Sequence, residues 1–218
     1  MLLGNINRNS IFLALVYLCA SGQGARIVIG YRVVAEAEAR IINDRNAPFR
    51  DPARDSEFGS QIGNGVYLGK AITRASLPAV THGWMTTDQH MSAVDKPGGW
   101  RETRGRTNYH CVFKADEDRF DDAAKAWVPS DYWDKGEASI ARYIRGFDEH
   151  PDETVRISYI AGYGEALQML LPTRMVNADT LDFYARCFPS RAELMAYENE
   201  SVDWTDWNLY GEPGEPEW

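Results

Sequence analysis

The sequence is poor in several residue types and motifs, and each shortage removes a class of function. Three cysteines in 218 residues are too few for a disulfide-scaffold mini-protein, and none lies in a CxxC pair. The four histidines, His82, His90, His110 and His150, show no HExxH or other metal-ligand spacing, which argues against structural zinc. Basic residues are outnumbered, 23 Lys+Arg against 32 Asp+Glu, giving a formal charge of −9 and no basic stripe. Nucleic-acid binding is therefore disfavoured, because neutralising phosphates needs a basic face. GxGxxG is absent, which argues against a Rossmann dehydrogenase, and so is the GxSxG nucleophile elbow. No apolar run approaches the ~20 residues that span a bilayer. Carboxylates are plentiful, but nothing singles out a glycosidase pair.

The longest apolar run, residues 11–20 (IFLALVYLCA), follows Arg8 and precedes the small residues Ala20-Ser21-Gly22. That order predicts a signal peptide over residues 1–22 and a secreted, extracellular mature protein with no membrane span. Cleavage removes Cys19 and leaves Cys111 and Cys187, which in an oxidising compartment suggest one disulfide; the alternative is two buried thiols. A sequon at Asn199-Glu200-Ser201 permits glycosylation in a eukaryotic host. Beyond Arg191 lie eight acids and no lysine or arginine, so residues 192–218 read as an acidic tail. Its end is expected to be extended or disordered, with Trp204 and Trp207 docked on the body. The remaining residues 23–191 carry a formal charge of only −2.

Residues 27–34 (IVIGYRVV) read as a buried strand, followed by a helix over 35–43 in which Glu36 and Arg40 pair at i,i+4. Further strands are expected at 66–68 and 109–115, and short helical stretches at 120–125 and 138–147. Residues 155–160 and 166–171, separated by Gly162-Tyr163-Gly164-Glu165, suit a hairpin. A helix is expected around 178–187, and no strong element over 70–107. Short strands outnumber helices and do not alternate with long ones, so the class is α+β: a single domain with two small, packed, antiparallel-rich sheets and flanking helices.

Three features carry chemistry. Arg32 sits in an apolar strand, on the face of Val28 and Val34 by alternation, and a buried guanidinium needs an internal partner or an anionic ligand. In Gly63-Asn64-Gly65-Val66-Tyr67-Leu68, glycines permit close approach and Tyr67 offers a ring for stacking. Gln168 interrupts the apolar ALQMLLP segment, with Glu165 in the preceding turn.

In this order the features resemble the ADP-ribosyltransferase superfamily. Tyr31-Arg32 is similar to the pair on the first strand of cholera-toxin and heat-labile-enterotoxin-like toxins, where it binds NAD. The Gly63-Asn64-Gly65-Val66-Tyr67-Leu68 segment is similar to the Gly-x-Gly-hydrophobic-Tyr element of poly(ADP-ribose) polymerases, where the tyrosine lies against nicotinamide. Ala166-Leu167-Gln168-Met169-Leu170-Leu171-Pro172 takes the place of the late strand that carries the catalytic glutamate. The resemblance spans about residues 26–176. It implies a secreted toxin or effector, monomeric, that uses NAD without a metal and transfers ADP-ribose to a host protein or hydrolyses NAD. Tyr31, Arg32, Gly65 and Tyr67 would bind the dinucleotide, and Gln168 with Glu165 would address the ribose. Two departures stand out: no Ser-Thr-Ser triplet follows the central strand, and Gln168 replaces the expected glutamate. A glutamine keeps a hydrogen bond but loses the charge that stabilises an oxocarbenium-like transition state. The alternative implied is an effector of the same fold that has lost catalysis and acts by protein binding. Catalysis requires Arg32, Tyr67 and Gln168 to line one cleft between the sheets.

Overall fold

In the computed structural model, residues 24–55, 60–70 and 108–217 are described. The expected leader, Cys19 with it, and residues 71–107 lie outside them. The chain folds into one mixed α+β domain with two sheets. β1 (Arg26–Ala35) pairs with β3 (Asn108–Asp116), which pairs with β7 (Tyr184–Phe188), all antiparallel. The second sheet has the order β2 (Gly65–Leu68), β6 (Leu167–Pro172), β5 (Val155–Tyr159), β4 (Lys125–Trp127); only β4 runs parallel to its neighbour. The expected hairpin is β5–β6. The helices are α1 (Glu36–Arg45), α2 (Glu117–Asp122), α3 (Glu137–Ile144), α4 (Thr173–Ala178) and α5 (Arg191–Tyr197). Glu36 and Arg40 form the i,i+4 pair at 2.6 Å.

The main core lies between the sheets. Ile29, Val34 and Phe113 of the first meet Val66, Leu68, Ile157, Met169 and Leu171 of the second. Two backbone bonds of 2.8 Å exchanged between Tyr31 and Gly69 tie β1 to the end of β2. A smaller core on the other side of the second sheet holds Ile62, Ala126, Val128, Trp133, Ile140, Ile144 and Leu170.

Cys111 and Cys187 face each other directly across β3 and β7 and form a disulfide between residues 76 positions apart. The outer edge of β7 is closed by α1. The Asn43 amide donates to Cys187 O at 3.0 Å and accepts from Cys187 N at 2.8 Å, as a neighbouring strand would. An edge satisfied this way offers no ladder to a second chain.

Two expectations are corrected. The helix expected around residues 178–187 is a turn followed by β7. Asp179 and Asp182 both take left-handed φ (53° and 47°), which ends α4, and the next residues alternate, with Ala185 and Cys187 inward. Val28 does not share the Arg32 face. The β1–β3 register shifts between Val28 and Gly30, and the extra residue, Ile29, turns Val28 to the opposite side with Tyr31. β4 was not anticipated; three residues are too short for a periodic signal.

The acidic segment opens with α5 and then docks. Trp204 is fully buried, and its indole N–H donates to Ile29 O, at the bulge, at 3.0 Å. Trp207 packs edge-on against Phe120 at 4.6 Å. The end is extended and hydrogen-bonded: Tyr210 exchanges bonds of 2.8 and 2.9 Å with β4, and Gly164 N donates to Glu217 O. Gly211 takes φ +78°, and a Cβ there would lie 2.5 Å from the Tyr143 hydroxyl.

Replacing both cysteines by alanine should lower unfolding free energy by about 4 kcal/mol, from the entropy of closing so long a loop. Trp204→Ala should cost about 3–5 kcal/mol. Denaturant titration of each variant checks both values.

Candidate functional site

Strand alternation sorts the polar residues of the second sheet. Leu167, Met169 and Leu171 of β6 enter the main core, so Gln168 and Leu170 face the other way, where Leu170 packs with Ile140 and Ile144 of α3. The register then sets Tyr67 and Arg156 on either side of Leu170, and Ser158 beside Gln168. Five polar or apolar side chains from three strands thus share one covered face.

Arg156 dominates it. The side chain is fully buried, and its guanidinium forms a bidentate pair with Glu137, Nη1 to Oε2 at 2.9 Å and Nη2 to Oε1 at 2.6 Å. Nη1 also donates to Ile62 O at 3.1 Å and Nη2 to Pro151 O at 2.9 Å. Glu137 sits in the first turn of α3, where a negative charge suits the helix dipole, and accepts a further bond from Asn64 N at 2.8 Å. Burial acts to raise its pKa, but the Arg156 bonds and charge and the Asn64 N–H outweigh it and hold the carboxyl below its ordinary value.

Gly63 makes this packing possible. Its φ is +107°, and a Cβ would collide with Arg156 Nη1 and come within 2.5 Å of Glu137 Oε2. The close approach read from Gly63-Asn64-Gly65 is therefore made to the chain's own ion pair. At Gly65 a Cβ would collide with Leu171 O, so this glycine serves the β2–β6 contact.

Tyr67 is held by the same loop. Its hydroxyl donates to Gly63 O at 2.9 Å and accepts from Ile62 N at 3.2 Å. Burial pushes its pKa up to about 12, so at neutral pH it is a donor and not a base. Ser158 donates to Val128 O at 2.7 Å and accepts from Trp133 Nε1 at 2.7 Å. Gln168 is fully buried; its Nε2 donates to Tyr159 O at 3.3 Å, and its Oε1 has no partner among the described residues.

The other expected site residues lie elsewhere. Arg32 pairs with Cys111 on the main-core face of the first sheet, and its guanidinium meets Glu38 of α1 at 3.1 Å. Tyr31 points to the opposite side of β1, among Val28, Val112 and Leu194, with its hydroxyl on Glu200 O at 2.5 Å. Burial, then the charges of Glu198 and Glu200, raise its pKa. Glu165 is exposed in the β5–β6 turn. The structure thus makes neighbours of the three motif strands, β1, β2 and β6, and gives Tyr67 and Gln168 a common face. It does not bring Arg32 to that face. The physical reason is the period of two: Arg32 lies on the Leu68 side of the joined strands, and Tyr67 on the reverse.

Arg156, Glu137 and Ser158 escaped the sequence reading. The available signal was Val155-Arg156-Ile157-Ser158-Tyr159, an alternating strand whose polar face is normally taken for solvent. Only the covering helix α3 makes it interior.

Residues 60–212 match a family of unknown function, DUF5910. The chain belongs to that family. The DUF5910 match takes in β2 through β7 and ends within the docked tail; β1, with Tyr31 and Arg32, lies outside it. No curated protein and no solved structure matches the chain. Among the described residues, no helix is long and apolar enough to cross a membrane, and no three His, Cys, Asp or Glu side chains form a group that could hold a metal.

Glu137→Gln should destabilise the protein by about 3 kcal/mol at neutral pH, the low end for an uncompensated buried charge because Glu137 itself is one-third exposed. The sign with pH follows from the lowered folded pKa. The pair's stabilisation is present above the unfolded value of 4.5 and is lost as pH falls through the folded one. Denaturation midpoints followed from neutral to acid pH should therefore fall more steeply in wild type than in Glu137→Gln.

Proposed function

We propose that this protein is a secreted effector that acts by binding another protein, on a fold whose ADP-ribosyltransferase-like motifs do not assemble a catalytic cleft. The observation that carries this reading is the engagement of the motif side chains by the chain itself. Arg32 meets Glu38, Tyr31 holds Glu200 O, Tyr67 closes its own loop and Gln168 is fully buried. An NAD-consuming enzyme needs these groups facing one ligand, with charge or donors preorganised where the transition state develops it. Secretion fits the Cys111–Cys187 disulfide, because such bonds persist in oxidising compartments. The competing reading, NAD glycohydrolysis or ADP-ribosyl transfer to a host protein, draws on the neighbouring positions of β1, β2 and β6.

The two readings separate in one assay. Purified protein incubated with NAD should release nicotinamide no faster than buffer alone, and Arg32→Ala should match it. Release above buffer that Arg32→Ala abolishes would overturn the binding reading in favour of the enzyme.

A further inference from the structure

We infer that Asn199 is the attachment site of an N-linked oligosaccharide. Asn199-Glu200-Ser201 is the one Asn-x-Ser/Thr sequence in the chain, and the middle residue is not proline. The structure adds three observations. Asn199, Glu200 and Ser201 are all exposed and belong to no helix or strand, directly after α5. The Asn199 side-chain amide has no internal partner among the described residues; only its backbone N–H is engaged. The segment is nonetheless held in place. Glu198 Oε1 accepts the N–H groups of Asn199 and Glu200 at 3.1 and 3.2 Å, Glu198 Oε2 is fixed by Lys114 at 2.8 Å, and the Tyr31 hydroxyl bonds Glu200 O. The acceptor amide therefore stands free on an anchored backbone, and a sugar there displaces no internal contact.

The transfer is chemically complete with a lipid-pyrophosphate-linked oligosaccharide as donor. Asn199 Nδ2 forms a bond to C1 of the first sugar, the C1–O bond to pyrophosphate breaks, the lipid pyrophosphate leaves with the electron pair, and the amide loses a proton to the transferase. The Cys111–Cys187 bond is independent support that the chain passes through the oxidising compartment where this chemistry occurs. The inference rests on the secretory part of the reading above, not on protein binding or loss of catalysis.

The test uses the full chain expressed in a eukaryotic secretory host. Intact mass of the secreted protein should exceed that of the polypeptide and, after peptide N-glycosidase, fall to that of the polypeptide with Asn199 converted to Asp. Asn199→Gln and Ser201→Ala should each be secreted without the added mass; Ser201→Ala keeps Asn199 and so guards against a folding defect of the first variant. Secreted wild type at polypeptide mass, or added mass that survives in both variants, overturns the inference alone. Retention of the wild-type chain inside the cell overturns the secretory reading and this inference with it. Nicotinamide release bears only on the binding reading.

Discussion

A guanidinium cannot remain in a protein interior without partners, and Arg156 determines much of what surrounds it. Its charge is balanced by Glu137 from α3, the other donor of each Nη is taken by the Ile62 and Pro151 carbonyls, Nε has no partner among the described residues, and Gly63 leaves room for the pair. One side chain thus joins β5, α3, the loop before β2 and the turn before β5. Around it, α3 lies over a face of the second sheet that carries Tyr67, Ser158 and Gln168 beside Leu170. A buried ion pair is weak evidence for net stability, since apolar residues of equal volume often do as well. Its effect here is positional: Glu137 at the first turn of α3 and Asn64 before β2 are brought to one point.

The first sheet is secured differently. The disulfide joins β3 to β7, Asn43 closes the outer edge of β7, and the bulge at Ile29 receives the Trp204 indole. The acidic chain end then follows the edge of β4 and reaches the β5–β6 turn. Its excess of acid is partly answered by Lys70 and Lys114, which pair with Asp203 and Glu198. Composition describes this segment as a solvated tail, whereas its tryptophans make it a part of the fold.

Much of the framework was legible from local pattern. The β-branched run of β1, the alternation of β3, the hairpin of β5 and β6 and the i,i+4 pair in α1 are signals carried by neighbouring residues, and these elements form as read. β7 was misread because residues 178–187 contain no glycine or proline, and only the left-handed Asp179 and Asp182 end the helix. The candidate site was legible in part. Tyr67 and Gln168 do share a face, because both positions follow from alternation on adjacent strands. Arg32 does not join them, and Arg156 was passed over, because the layer that covers each strand face is set by elements distant in sequence.

By itself the sequence marked most of the secondary elements, β4 and β7 excepted, pointed to one disulfide between the two cysteines left after cleavage, and placed Trp204 on the body, since periodicity, residue count and hydrophobicity are read from the chain alone. The tertiary structure alone decided where the buried polar side chains find their partners. Tyr31 and Arg32 are adjacent, yet one meets Glu200 and the other Glu38 on opposite sides of a strand. A buried polar group must be satisfied by whatever the packing brings near. That requirement links residues 169 positions apart in the case of Tyr31 and Glu200, a distance over which no local pattern in the chain speaks.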